Sequence, residues 1–334
     1  MTPYSSMRPS RGEIRWIAIL LVLALVVLVS SAFFGSYRVS LADFFNTVRG
    51  QAPAPMTEFF VLERRLSRAA VALCAGMLLA ASGSLTQQLL RNPLASPDII
   101  GITTGASFGG AMVILLLGGS LASASFGAVA GAIMAALILI GAVKVLRLSG
   151  SRLILLGVGL AALATALTNF LLTQVFVPSA EVAQTWLVGS LQGRGKEELV
   201  WLLAGVAILL ITQIMFGIDL KMLQMGDDLA AGLGVQVTRT RLVLLFIAAL
   251  LAALAVVSCG PIGFISLVAP HISFALTKSR NLISCGLTGG ILLAVSDLVA
   301  QYAFSVSLPV GVITVVFGGG FFLWLLFRQR RIHG

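Results

Sequence analysis

The sequence predicts an all-α, polytopic membrane protein that crosses a bilayer about ten times. Three observations carry that expectation. Hydrophobic residues fill 58% of the 334 positions, charged residues only 10%, and the mean hydropathy is +1.05. A water-soluble chain of this length needs far more charge to cover its surface. Stretches free of Asp, Glu, Lys and Arg recur along the chain at about the 20-residue length that a helix needs to cross the hydrocarbon core. Small residues repeat at four-residue spacing, as in Gly101-Ile-Thr-Thr-Gly105 and Gly105-Ala-Ser-Phe-Gly109. Such spacing lets helices approach closely in lipid, where no hydrophobic effect drives them together.

Taken in order, Arg8, Arg11 and Arg15 precede the apolar run 16–37. That run is long for a signal-peptide core and lacks a good small-residue cleavage pattern, so a retained first helix is expected after a tail of residues 1–15. The second crossing is 69–90. The 45-residue run 99–143 holds two helices, broken near Gly118-Gly119-Ser120. Further crossings are 153–180 and 199–218. The run 242–277 is split by Gly260-Pro261 into 242–258 and a short helix of roughly 265–277. Residues 281–303 cross despite Asp297, and a last helix follows the break at Leu308-Pro309, ending near 327. One transmembrane domain, 16–327, results, with a cytoplasmic segment at 219–241 and a short tail at 328–334.

The net charge of +10 and pI near 10.6 raise the question of nucleic acid. No basic stripe with interleaved aromatic residues supports that class. With ten crossings and both termini in the cytoplasm, 15 of the 22 Lys and Arg residues lie inside. If the short helix failed to cross, only ten would. The positive-inside rule therefore selects ten.

Cys74, Cys259 and Cys285 sit in apolar runs, and His271 and His333 are the only histidines. That pattern predicts neither a disulfide framework nor a metal site. His271, after Pro270, reads as a packing or backbone-bonding residue.

Two enzyme-like motifs fail on context. Gly157-Val-Gly-Leu-Ala-Ala162 matches a loose dinucleotide fingerprint but follows no strand and lies inside an apolar run. Gly189-Ser-Leu-Gln-Gly-Arg-Gly-Lys196 resembles a phosphate loop with its first glycine misplaced and Glu197 where a magnesium-binding hydroxyl belongs. No catalytic constellation is expected. Any ATP must be handled by a partner.

Asp297 is the one acid well inside a span, pairing nearby or accepting helix-end amides, which is a thin basis for ion-coupled transport. The segment DLKMLQMGDDLAAGLGVQVTRTR offers a different energy input. Gly226 breaks the chain, Asp227 and Asp228 suit the first turn of a helix, and Gly234 suits its C-cap. A helix over 227–233 is too short to stand alone and needs a surface to dock against. The bland alternative is a solvated loop.

Ordered motifs then resemble those of the FecCD-type permeases of type II ABC importers for iron–siderophore, haem and vitamin B12. They are Arg65-Leu-Ser-Arg68, Ser82-Gly83-Ser84 with Gln87, Arg91-Asn-Pro-Leu-Ala-Ser-Pro-Asp98, Gly101-Ile-Thr-Thr-Gly-Ala106, Gly226-Asp-Asp228 with Leu233-Gly-Val235, Gly260-Pro-Ile-Gly-Phe-Ile265 with Ala269-Pro-His271, and Leu308-Pro-Val-Gly311. Within that family, Gly226-Asp-Asp228 and Leu308–Val316 resemble the ferric-enterobactin branch most.

The resemblance implies a dimer of permeases in the bacterial inner membrane, a cytoplasmic ATPase dimer that uses ATP and magnesium, and a periplasmic siderophore-binding protein. The cargo it implies is a ferric catecholate siderophore, with vitamin B12 or haem as alternatives. Residues Gly226, Asp227, Asp228, Leu229, Ala230, Ala231, Gly232, Leu233 and Gly234 look like the segment that couples to the ATPase. Arg65 and Arg68 look like docking residues for the binding protein, the alternative being arginines that snorkel at a helix end. Gln301 stands where the vitamin B12 member has a further arginine, which points to a paralogous partner permease. Gly150 and Ser151 resemble one gate, and Asn92 and Leu94 a second constriction, the alternative being ordinary tight loops.

Overall fold

The computed structural model describes residues 10–35, 37–146 and 150–330. Residues 1–9 of the N-terminal tail, Arg147 of the basic loop, and residues 331–334 of the C-terminal tail lie outside the described residues.

Helix α1 (Arg11–Ser31) starts earlier than its apolar run, because the Ser10 hydroxyl accepts the Glu13 amide at 3.1 Å and caps the first turn. A short helix α2 (Leu41–Val48) follows, set by a capping box between Ser40 and Asp43. Helix α3 (Pro55–Glu58) passes through a π-helical stretch, Phe59–Leu66, into α4 (Ser67–Leu90). The remaining helices are α5 (Ile102–Leu117), α6 (Leu121–Lys144), α7 (Ser151–Gln174), α8 (Val177–Leu187), α9 (Lys196–Met225), α10 (Asp227–Gly232), α11 (Val237–Cys259), α12 (Ile265–Thr277), α13 (Leu282–Tyr302) and α14 (Val310–Arg330).

Each of the ten expected crossings has its helix. Seven are long and apolar enough to span a membrane by themselves; α5, α12 and α14 supply shorter apolar segments. The protein is therefore a multi-pass membrane protein. The bounds differ from the apolar runs at several points. The run 153–180 is not one helix: extended Phe176 and then Pro178 end α7 and begin α8. Helix α9 has 30 residues, which at about 1.5 Å per residue overshoots a hydrocarbon core of about 30 Å. Residues 219–225 of the expected coupling segment thus continue α9, and only 226–236 lie between α9 and α11.

Helix α4 is the axis of the fold. It packs against α9, α11, α12 and α13 and is buried along most of its length, its polar Ser82, Thr86, Gln87 and Gln88 included. Glycines let its neighbours close in. A side chain on Gly76 would strike the Gly289 carbonyl of α13, and one on Gly83 the Ser266 carbonyl of α12. In the same way Gly105 and Gly109 of α5 face Gly131 and Gly127 of α6, so the four-residue spacing is a packing device. Gly157, first of the dinucleotide-like motif, lies within α7 against the Ile100 backbone.

Candidate coupling and gating site

The C-terminal end of α4, the last turn of α9 and the first turn of α11 converge on the segment 226–236. Gly226 has φ +128° and no atom within 4 Å of where a side chain would stand, so it joins α9 to α10 as an unencumbered corner. Helix α10 closes with a Schellman arrangement. The Val235 amide donates to the Ala230 carbonyl and the Gly234 amide to the Ala231 carbonyl, both at 3.0 Å, with Gly234 at φ +94°. Ala230 faces inward, while Leu229 and Leu233 are 61% and 51% exposed. The helix and its C-cap thus project two leucines away from the protein. Asp228 is exposed beside them.

Asp227 is held by two arginines. Arg241 Nη2 donates to its Oδ1 at 2.9 Å and Oδ2 at 3.1 Å, and Arg91 Nη2 bonds the same carboxylate. Partial burial alone would raise the Asp227 carboxyl. Hydrogen bonds and charge from Arg241, then from Arg91, hold it below its ordinary value instead.

Arg91 is the C-cap of α4, and Asn92 follows it. The Asn92 side-chain oxygen accepts the Leu94 amide at 2.9 Å, and its carbonyl accepts the Ala95 amide at 3.1 Å. Pro93 and Pro97 stiffen the turn further. At its far end, the Ser266 hydroxyl donates to Asp98 Oδ2 at 2.8 Å, which ties the turn to the start of α12. Gly150, φ +54°, caps α7, with no atom near its missing side chain, and Ser151 is exposed. The structure places Asn92 and Leu94 one and three residues after Arg91, which bridges to Asp227; among the described residues no bond runs from Gly150 or Ser151 to that cluster.

At the opposite end, Arg65 and Arg68 are turned to interior partners. Arg65 is 9% exposed and donates to the carbonyls of Ala32 (2.7 Å) and Tyr37 (2.6 Å). Arg68 forms a two-point ion pair with Asp297, Nε to Oδ2 at 2.9 Å and Nη2 to Oδ1 at 2.8 Å. Gln301 donates to the same Oδ2 at 2.7 Å. Asp297 therefore has a counterion, and Gln301 supports it from one turn away. Arg64, over the Phe59 ring, is exposed, as are Arg38 and Arg49 on the neighbouring loops. A cavity of about 390 Å³ lies among Arg64, Arg65, Arg68, Asp297, Gln301 and Tyr302. Sequence reasoning missed the Arg68–Asp297 pair. The signal available was one buried-span acid and one span-end arginine.

His271 bonds the Leu267 carbonyl through Nδ1 at 2.8 Å, as a backbone-bonding residue should. Among the described residues, no group of three or more His, Cys, Asp and Glu side chains gathers.

The sequence profile of the FecCD transport family matches residues 21–328. A ferric enterobactin transport system permease protein of Escherichia coli (strain K12) is 36% identical over 305 residues, covering 89% of this chain and 91% of the relative. An Fe(3+)-citrate import system permease protein of Bacillus subtilis (strain 168) is 35% identical, covering 97% and 98%. A vitamin B12 import system permease protein of Shigella boydii serotype 18 is also 35% identical, covering 96% and 97%. A solved structure described as an inward-facing metal-chelate type ABC transporter superposes with TM-score 0.82 at 26% identity, covering 93% of this chain and 98% of that one. Matches over nearly the whole chain, on a multi-pass helical membrane fold whose charged loop displays a capped helical knob, place this chain in the FecCD family of ABC importer permeases, as a transport subunit and not an enzyme.

Proposed function

We propose that this permease carries a ferric siderophore complex, of the catecholate type represented by ferric enterobactin, from periplasm to cytoplasm of a bacterial inner membrane. One observation carries the reading of how it is driven. Helix α10 and its C-cap present two exposed leucines, Leu229 and Leu233, on a segment closed by Gly234 and anchored through Asp227. An isolated turn of helix is not stable in water, and bare leucines on an ordered, aqueous-facing knob suit a complementary cleft on a partner. The partner is an ABC ATPase dimer, which binds ATP and magnesium; this chain binds neither.

On this reading residues 226–234 couple to the ATPase, and both termini are cytoplasmic. Asn92, Leu94, Gly150 and Ser151 form the constrictions that exchange access, with few fixed charges, which suits a cargo that must bind weakly enough to leave. A periplasmic binding protein docks at the opposite end. Arg38, Arg49 and Arg64 are exposed cations there, and Arg65 and Arg68 shape that face from within. A second permease, a paralogue of this one, completes the pathway, with lipid around both.

The test is uptake into proteoliposomes holding this chain, its partner permease and the ATPase, with the binding protein added. Radiolabelled ferric enterobactin, ferric citrate and cobalamin are compared. ATP-dependent accumulation of ferric enterobactin above the other two supports the proposal. Preferential cobalamin uptake would reassign the cargo, since vitamin B12 permeases match as fully. Uptake without ATP would reject the ABC mechanism.

A further inference from the structure

Arg91 carries more than a helix cap. It is one of three non-glycine residues with positive φ among those described, at φ 48° and ψ 37°. Glycine is the usual residue for a left-handed helix terminus, because a Cβ there is disfavoured. An arginine held in such a conformation points to work for its side chain.

That side chain spans the Gly226 corner. Nε and Nη2 donate to the Leu223 carbonyl at 3.2 and 2.8 Å, on the α9 side. Nη2 also bonds Asp227, the first residue of α10, on the other side. The corner that it spans is a glycine with open space around it. A second link runs parallel: Gln224 Nε2 donates to Gln88 Oε1 of α4 at 2.6 Å. The backbone of Arg91 leads directly into the braced turn at Asn92 and Leu94, and from there to Asp98 and its bond with Ser266.

We propose that Arg91 is a positioning residue that joins the coupling segment to the 92–94 turn, so that a displacement of α10 is delivered to that constriction. This inference rests on the reading of 226–234 as the ATPase contact. The ion pair is 43% exposed on both partners, and half-exposed pairs contribute little to folding. Arg241 still grips Asp227 when Arg91 is absent. Removing Arg91 therefore breaks the link while the knob remains in place.

The experiment uses the whole reconstituted importer, with whichever of ferric enterobactin, ferric citrate or cobalamin the wild type accumulates as probe. Cargo moved per ATP hydrolysed is the readout, since a purely structural role would lower both quantities together. We expect Arg91→Ala to reduce that ratio about fivefold or more, the scale of a typical coupling free energy, while the ATPase still co-purifies. Arg91→Lys, which keeps a charge near Asp227 but lacks the planar fork, falls between. Asp227→Asn lowers the ratio too, and the double variant Arg91→Ala/Asp227→Asn is no worse than Arg91→Ala alone, as expected when both act through one link. If Arg91→Ala fails to accumulate, Arg91→Lys and Asp227→Asn carry the test. An unchanged ratio in these variants, or independent multiplicative losses in the double variant, overturns the proposal.

Cross-linking separates this failure from failure of the coupling reading. Leu229→Cys that cross-links to the ATPase, together with an unchanged ratio in the Arg91 variants, removes only the Arg91 link. No cross-link from Leu229→Cys removes the coupling segment, and the link with it.

Discussion

Asp297 is only 4% exposed at its side chain and depends on Arg68, itself 16% exposed. Removing one member of a buried pair leaves an uncompensated charge, which typically costs about 3 kcal/mol or more. Arg68→Ala should therefore lower the thermal unfolding temperature of the detergent-solubilised protein sharply. The Arg68→Ala/Asp297→Ala double variant should lose less than the sum of the two single variants, because neither charge is then stranded. Additive losses would show that the two side chains act separately. A second residue-scale expectation concerns pH. The Asp227 carboxyl is held below its ordinary value by Arg241 and Arg91, so the unfolded segment binds more protons than the folded one. Its contribution is full above the unfolded value of about 3.9 and is lost as pH falls through the lower, folded value. Hydrogen exchange at 226–235, corrected for intrinsic rates, should stay protected from about pH 7 down to about pH 4 and open only below that range. Loss of protection near neutral pH would contradict the bond pattern.

Helix packing sets the next scale. A methyl group on Gly109 would meet the Gly127 carbonyl across the α5–α6 contact, and overpacking of this kind costs about 1–3 kcal/mol. Gly141, also on α6, has no atom within 4 Å of its missing side chain. Gly109→Ala should destabilise the protein in detergent unfolding, whereas Gly141→Ala should be neutral or add about 0.5 kcal/mol by relieving glycine's backbone entropy. Equal effects would mean that close approach does not limit this contact. Gly234 closes α10 at φ +94°, where an L side chain costs about 1–2 kcal/mol. Gly234→Ala should raise hydrogen exchange over 227–233 and leave α11 protected, a difference readable by mass spectrometry.

For the whole molecule, the orientation proposed above from the Lys and Arg bias puts Leu229 on the cytoplasmic side and Gln51, on the loop between α2 and α3, on the periplasmic side. Gln51→Cys should react with a membrane-impermeant maleimide in intact spheroplasts, and Leu229→Cys only after permeabilisation. The reverse pattern would invert the topology and remove α10 from the ATPase. The native Cys259 and Cys285 are buried and supply little background.

Composition determined the membrane class, because the bilayer's thickness sets how long an apolar run must be, and the Lys and Arg bias selected ten crossings where run length left 242–277 open. Glycine and aspartate at 226–234 likewise announced a short capped helix, because caps are local chemistry. The small helices α2 and α8 and the π-helical turn at 59–66 went unannounced, since each is shorter than a span and interrupts an otherwise continuous pattern. Only tertiary structure decided what the charged side chains do. Arg68 and Asp297 are 229 positions apart, and Arg91 and Asp227 are 136 apart. No periodicity carries information over such distances. Those pairings exist because α4 is enclosed by helices from the second half of the chain, whose packing brings a charge at each end of α4 within reach of its opposite.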